Sequence, residues 1–280
     1  MCSYHTNKGN VPPKHDCKRN WSGSSKAMES SVALDVIKEV EKENAEVSVL
    51  IMDDDATTMA RIRDNISHKV TKWSDLNHTK KQLGNGLYSL QHKHKRFSNK
   101  CVQFIQKCFS YAVVQNKNQP EQLRKALAQI VPHSFGDHSG CHSWCGFISN
   151  PDTYQHKSLP HGKDLCGEDL REDLKNIMAV YINNAEKIAP AASTKDVESF
   201  NNSIASKAPK RIHYSASSSL HNRVNCAVAE KNIGTQYVNE VNSKIGVSPG
   251  VVFKKFAEKR TTLENEGYNM KIQRNSKGEN

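Results

Sequence analysis

The feature that most constrains this chain is a short apolar run, Val47 to Met52 (VSVLIM), that stops directly at Asp53-Asp54-Asp55. A strand with one wet face alternates apolar and polar residues, whereas a run apolar on both sides predicts a parallel strand covered on both faces. Parallel strands need a crossover, and the sequence supplies one: Thr57 to Ile66 reads as a helix and Lys69 to Trp73 as a second short strand. Together they predict a βαβ unit, the one clear sheet signal in the chain.

Helical spacing surrounds that unit. Val32, Val36, Ile37 and Val40 predict one apolar face of a helix running to about Glu43, with Ser30 as its N-cap. After Asp75 the pattern predicts helices over Leu76 to Leu90, Phe97 to Gln115 and Pro120 to Val131, the last with proline in its first turn. Further helices are expected at about Gly167 to Ala189, Thr194 to Lys207, Leu220 to Lys231, Tyr237 to Lys244 and Val251 to Glu264. The expected organisation is an irregular polar arm (1–26), a βαβ portion (27–75), a helical insertion (76–190) containing a Cys/His segment (133–161), a returning helical region (191–232) and a helical tail (233–280).

Hydrophobic residues make up 36% of the 280, enough to fill a core, while a mean hydropathy of −0.72 and the lack of any apolar run near twenty residues argue against a membrane partner. Eight cysteines without a secretion signal predict reduced thiols, some available to zinc. The formal charge is +11, and its distribution is uneven. Lys69 to Ser134 carries twelve Lys and Arg against Asp75 and Glu121, a net +10, whereas Glu29 to Asp64 is net −6. The basic zone centres on Lys80, Lys81, Lys93, Lys95, Arg96 and Lys100 and predicts phosphate contacts with DNA.

Three groups of residues could carry chemistry. Asp53 ends a predicted buried strand, where α/β proteins place ligands, and with a second carboxylate it could chelate Mg²⁺; equally, Asp53 to Asp55 could cap the helix at Thr57. Asp75 and His78 are three apart, so on a helix they share a face and could orient a metal or a phosphate. His138, Cys141, His142 and Cys145 have spacings compatible with tetrahedral zinc, with His161 or Cys166 as more distant ligands; Cys2, His5, His15 and Cys17 form a weaker set.

In order, the segments Leu50–Thr58 (LIMDDDATT), Ser74–His78 (SDLNH), Phe135–His138 (FGDH), Trp144–Gly146 (WCG), His156–Gly162 (HKSLPHG) and Glu198–Asn202 (ESFNN) resemble a Mutator-like transposase of the kind found in invertebrate genomes. The resemblance implies a ribonuclease-H-like α/β core with a large helical insertion. It also implies a DDE set of carboxylates binding two Mg²⁺ (or Mn²⁺) ions for phosphodiester hydrolysis and strand transfer at transposon ends, in the nucleus. On that pattern Asp53 matches the second carboxylate, with Asp54 as its alternative, Glu198 the third, and Asp75 and His78 the family's Asp-x-x-His element. The first carboxylate finds no counterpart, since residues 1–26 offer only Asp16. The expectation is therefore an N-terminally truncated catalytic domain, inactive alone. Its open strand edge would be covered by the missing segment or by a second chain, for instance in a homo-oligomer. A non-catalytic DNA-binding protein with a structural zinc site is the alternative.

Overall fold

The computed structural model describes residues 21–262, except 54, 143, 213, 215, 216 and 261. It is mostly helical, with a small two-stranded parallel sheet. The elements run α1 (Ser25–Lys42), β1 (Val49–Met52), α2 (Ala56–Asn65), β2 (Thr71–Ser74), α3 (Leu76–Lys93), α4 (Asn99–Gln115), α5 (Pro120–Ser134), α6 (Gly146–Ser149), α7 (Glu168–Asn183), α8 (Ala185–Ile188), α9 (Lys195–Lys207), α10 (Ser219–Ile233) and α11 (Tyr237–Lys244). A further helix spans 251–260. The chain divides into two compact units, one being Gly23–Thr194 and the other containing the described residues from Lys195 onward.

In the first unit β1 and β2 pair in parallel, from Val49 opposite Thr71 to Met52 opposite Ser74, with α2 as the crossover. Asp55 caps α2: its carboxylate accepts the Thr57 amide at 2.9 Å and the Thr58 hydroxyl at 2.6 Å. The capping reading of the triple aspartate therefore holds for Asp55, and the Thr58 hydroxyl bond keeps its carboxyl below the usual pKa. Leu34 and Ile37 of α1 meet Ile62 and Ile66 in a small core beside the sheet.

Helix α1 departs from its expected register. Ser24 is the cap, its side chain accepting the Ala27 amide, while Ser30 is buried inside the helix and its hydroxyl donates to the Ala27 carbonyl. Ser30, Leu34 and Ile37 form the inward row at helical spacing, and Val32 and Val36 are 51% and 56% exposed. Hydrophobicity alone favoured the valines; packing against α2 instead selects the row that includes the serine, which also receives the Arg61 guanidinium.

Helices α3, α4, α5, α7 and α8 share the main core, in which Leu83, Leu87, Val102, Phe109, Leu127 and Leu174 are fully buried. Helix α5 runs past Pro132 to Ser134, so His133 is helical rather than part of the loop. The expected single helix from Gly167 to Ala189 is two, α7 and α8. Gly84 is buried on the side of α3 that faces α4, beside the Gln106 side chain. In the second unit α9 and α10 pack together and Lys207 bridges to Glu230 at 2.7 Å.

One buried carboxylate joins the sheet to this helical body. Asp75 caps α3, its Oδ1 accepting the His78 amide at 2.8 Å, while its Oδ2 accepts both the amide and the hydroxyl of Thr194 at 2.7 Å. Next to it the Leu76 amide donates to the Ala192 carbonyl at 2.9 Å. Burial alone would raise the Asp75 pKa, but the bonds from His78 and Thr194 outweigh it and hold the carboxyl below its usual value. Replacing Asp75 by alanine would strand these donors, and we expect a loss of about 3 kcal/mol in urea unfolding. Because the folded pKa is depressed, the contribution is present above the unfolded value and lost as pH falls through the folded one. The stability gap between wild type and Asp75→Asn should therefore close in acid.

Candidate metal centre and strand-end carboxylate

The candidate metal centre is built where α5 ends. His133 occupies the last turn of α5, and Gly136, with φ +82°, turns the chain so that His138 comes back towards it. A side chain at Gly136 would be strained and would strike the Asp164 carboxylate. Cys141 and Cys145 follow, each closing a tight turn by donating its amide, to the carbonyls of His138 and His142 respectively. All four donors are buried, and their ligating atoms lie within 4.8 Å of one another.

Five of the six distances among these atoms match the edges of a tetrahedron around one ion. His133 Nδ1 and His138 Nδ1 are 3.1 Å apart; the four sulfur–nitrogen edges are 3.4 and 3.7 Å from Cys141, and 3.7 and 3.4 Å from Cys145. Zn–N and Zn–S bonds of about 2.05 and 2.3 Å at tetrahedral angles give edges of about 3.3 Å (N–N) and about 3.5 Å (N–S). The His2Cys2 group can thus hold a metal such as zinc.

The surroundings favour the ligating forms of the imidazoles and oppose uncompensated thiolates. Burial, followed by the neighbouring His156 and His138, lowers the pKa of His133 to about 4, so its imidazole is neutral at physiological pH. Burial and the adjacent Cys145 push the Cys141 thiol up to about 12. A cation between the sulfurs would supply the missing compensation. Outside the ligands, Gln129 donates towards Cys141 Sγ at 3.8 Å and to the Asp137 carbonyl at 3.2 Å. Buried His156 contacts the His133 carbonyl through Nε2 at 3.0 Å and the Tyr154 hydroxyl through Nδ1 at 3.2 Å. Phe147 stacks on His138 with centroids 4.2 Å apart.

The expected zinc set is therefore changed in one member. His138, Cys141 and Cys145 come together, but His142 is exposed and outside the group, and His133 takes its place. His161 and Cys166 are exposed and also outside it, while Cys2, His5, His15 and Cys17 lie outside the described residues. The sequence signal for His133 is the pair of spacings His133-x4-His138 and Cys141-x3-Cys145, two donors on each side of one loop. The described cysteines form no disulfide.

A second arrangement lies at the end of β1. Asp53 immediately follows the strand, its side chain 54% exposed, and its Oδ2 meets His78 Nδ1 of α3 at 3.0 Å. Asp54 lies outside the described residues. Asp75, three residues before His78, is consumed by its structural bonds, so of the two aspartates beside this helix terminus Asp53 is the one with an accessible carboxylate. Glu198 is exposed in the first turn of α9, in the second unit.

Residues 1–145 match a family described as Mutator-like transposase. The chain belongs to this family. The matched region contains Asp53, Asp75, His78 and all four members of the metal group, and Glu198 lies beyond it. No curated protein and no solved structure matches the chain. For a transposase family member the implied partner is DNA, and the basic zone gives this Mutator-like chain the matching charge. Within that zone Lys81, Lys95, Arg96 and Lys100 are exposed, Lys80 is half-buried, and Lys93 is exposed but paired to Asp173 at 2.7 Å.

The metal group gives a direct expectation: the purified chain carries one zinc per molecule by elemental analysis, and Co²⁺ in its place shows the visible bands of a tetrahedral S2N2 site. His133→Ala should lose the metal and lower the melting temperature, whereas His142→Ala should keep both. Equal retention by the two variants would exclude His133 as a ligand.

Proposed function

We propose that this chain is a DNA-handling protein of the Mutator-like transposase type, from a lineage whose chemistry is DDE-type, metal-dependent phosphodiester hydrolysis and strand transfer at transposon ends in the nucleus. In this reading Asp53, or Asp54 beside it, and Glu198 are ligands for Mg²⁺ or Mn²⁺, and the His133, His138, Cys141 and Cys145 group binds a structural zinc ion.

The observation that carries the reading is the half-exposed Asp53 carboxylate at the C-terminal end of a parallel strand, oriented by His78 from the following helix, in a chain of a transposase family. Ligands of α/β proteins gather at such strand ends, and hard divalent ions prefer carboxylate oxygens. The β1–α2–β2 crossover is also what a ribonuclease-H-like core would contain, with the helical body as its insertion. Bound there, the ions would activate the attacking water or 3′-hydroxyl and stabilise the leaving oxygen. What the chain itself contributes is the fixed carboxylate, with the His78 ring holding one of its oxygens in place.

Glu198 enters through the family resemblance.

Iron-directed cleavage tests the shared ion without relying on turnover. Fe²⁺ with ascorbate and peroxide should cut the polypeptide near both residue 53 and residue 198, Mg²⁺ should suppress both cuts, and Asp53→Asn should remove both together. A cut at one position alone, or cuts that survive Asp53→Asn, would defeat the assignment. The Mn²⁺ affinity of Glu198→Gln should fall by about tenfold or more, as expected when one charged ligand is lost.

A further inference from the structure

We propose that the solvent face of α3 is a track for duplex DNA, leading away from Asp53 and reading base edges through Gln82 and Asn85. This rests on the DNA-handling function proposed above and assigns a surface to it.

Successive residues of a helix turn by about 100°, so His78, Lys81, Gln82, Asn85, Ser89 and His92 fall within an arc of about 100°. All but His78 are exposed, and His78 is half-buried by its contact with Asp53. The opposite side carries Thr79, Leu83, Gly84 and Leu87, all buried against the helical body. The stripe is therefore anchored from behind, through the core that Leu83 and Leu87 share with Val102, Ile105 and Phe109 of α4.

The composition of the stripe suits a nucleic acid. No acidic residue occurs between Asp75 and Glu121, so α3 and α4 present no carboxylate of their own to repel a phosphate. A solvated helix of this length ordinarily mixes both charges and gains from Glu–Lys pairs along its surface; this one has none. In place of acids the exposed face holds amides, a hydroxyl, imidazoles and Lys81. Asn and Gln amides pair bidentately with adenine, and a lysine beside them meets a phosphate or a guanine edge. From His78 to His92 the helix rises about 21 Å, the length of about six base steps, and the major groove admits a helix. The first residue of the stripe contacts the Asp53 carboxylate, so DNA seated on it would extend from the proposed reaction centre.

The track commits to duplex DNA and to this face. Fluorescence anisotropy of the full chain with a labelled mixed-sequence duplex, across a salt series, tests it against a control of equal charge change. Lys81→Glu should weaken binding by about tenfold or more, whereas Lys38→Glu, on the exposed side of α1, should change it by less than about threefold. Asn85→Arg should tighten binding and steepen the salt slope by about one unit. Gln82→Ala with Asn85→Ala should leave the salt slope unchanged and flatten the base preferences selected from a randomised duplex pool. Equal losses from Lys81→Glu and Lys38→Glu, with unaltered melting temperatures, would overturn the track while leaving DNA binding intact. Wild-type protein that shows no salt-dependent duplex binding would overturn the DNA reading and the track with it, and preference for single strands or RNA would overturn the duplex assignment.

Discussion

A buried carboxylate has to be satisfied, and Asp75 is satisfied by groups from two distant parts of the chain. At 1% exposure an anion without partners would cost several kcal/mol. Here it gathers the first-turn amide of α3 and both polar hydrogens of Thr194. The strand end, the start of α3 and the segment after α8 are thereby fixed to one another. This also divides the labour between two aspartates that look alike in sequence. Asp75 is buried and engaged through both oxygens, so of the two it is Asp53 that presents an open carboxylate at the strand end. His78 serves both: its backbone amide belongs to Asp75 and its ring to Asp53.

The metal group answers a different structural problem. Between α5 and α7 lie more than thirty residues with nothing longer than a single helical turn, far beyond the usual length of a connection in a packed domain. Such a segment cannot bury enough apolar surface to order itself, and the main core lies mostly in the helices on either side. Four donors from a single stretch of thirteen residues, ringed by Phe147, Tyr154 and His156, provide a centre around which the loop can fold. The buried histidines and thiols then have a purpose that no apolar contact would give them.

Much of this was legible in the sequence, and the parts that were not have physical causes. The βαβ unit is readable from the continuous apolar run of β1 and the helices after Asp75 from their strong periodicity, with Tyr237–Lys244 matching its expected bounds. But β1 is half-buried along its whole length instead of covered on both faces, because among the described residues only β2 pairs with it. The register of α1 was not, because Val32 and Val36 outrank a serine in hydrophobicity, while burial depends on which row meets α2. His133 was missed for a related reason. Proline at 132 predicts that α5 has already ended, which puts the histidine after it in the loop, and along the chain His142 lies nearer the two cysteines. Proximity along the chain says little about direction: in the final turn of α5 the His133 side chain points into the loop, and His142 faces water. Asp75 looked like a chemical group because its second partner, Thr194, is 119 residues away and no local pattern announces it.

The two proposed metal sites would not compete for ions, because their donors differ in hardness. Asp53 offers carboxylate oxygen in a half-exposed position, suited to Mg²⁺, which keeps much of its water. The group around His133 offers imidazole nitrogen and sulfur, buried and already spaced as a small tetrahedron. Mg²⁺ would have to surrender its water there to ligands it binds poorly, whereas zinc gains from both. The high pKa of Cys141 sharpens the choice, since only a cation that binds thiolate strongly can offset the cost of removing its proton. Burial, which makes each of these side chains an unfavourable place for charge on its own, would therefore also make the group selective for a metal that neutralises it.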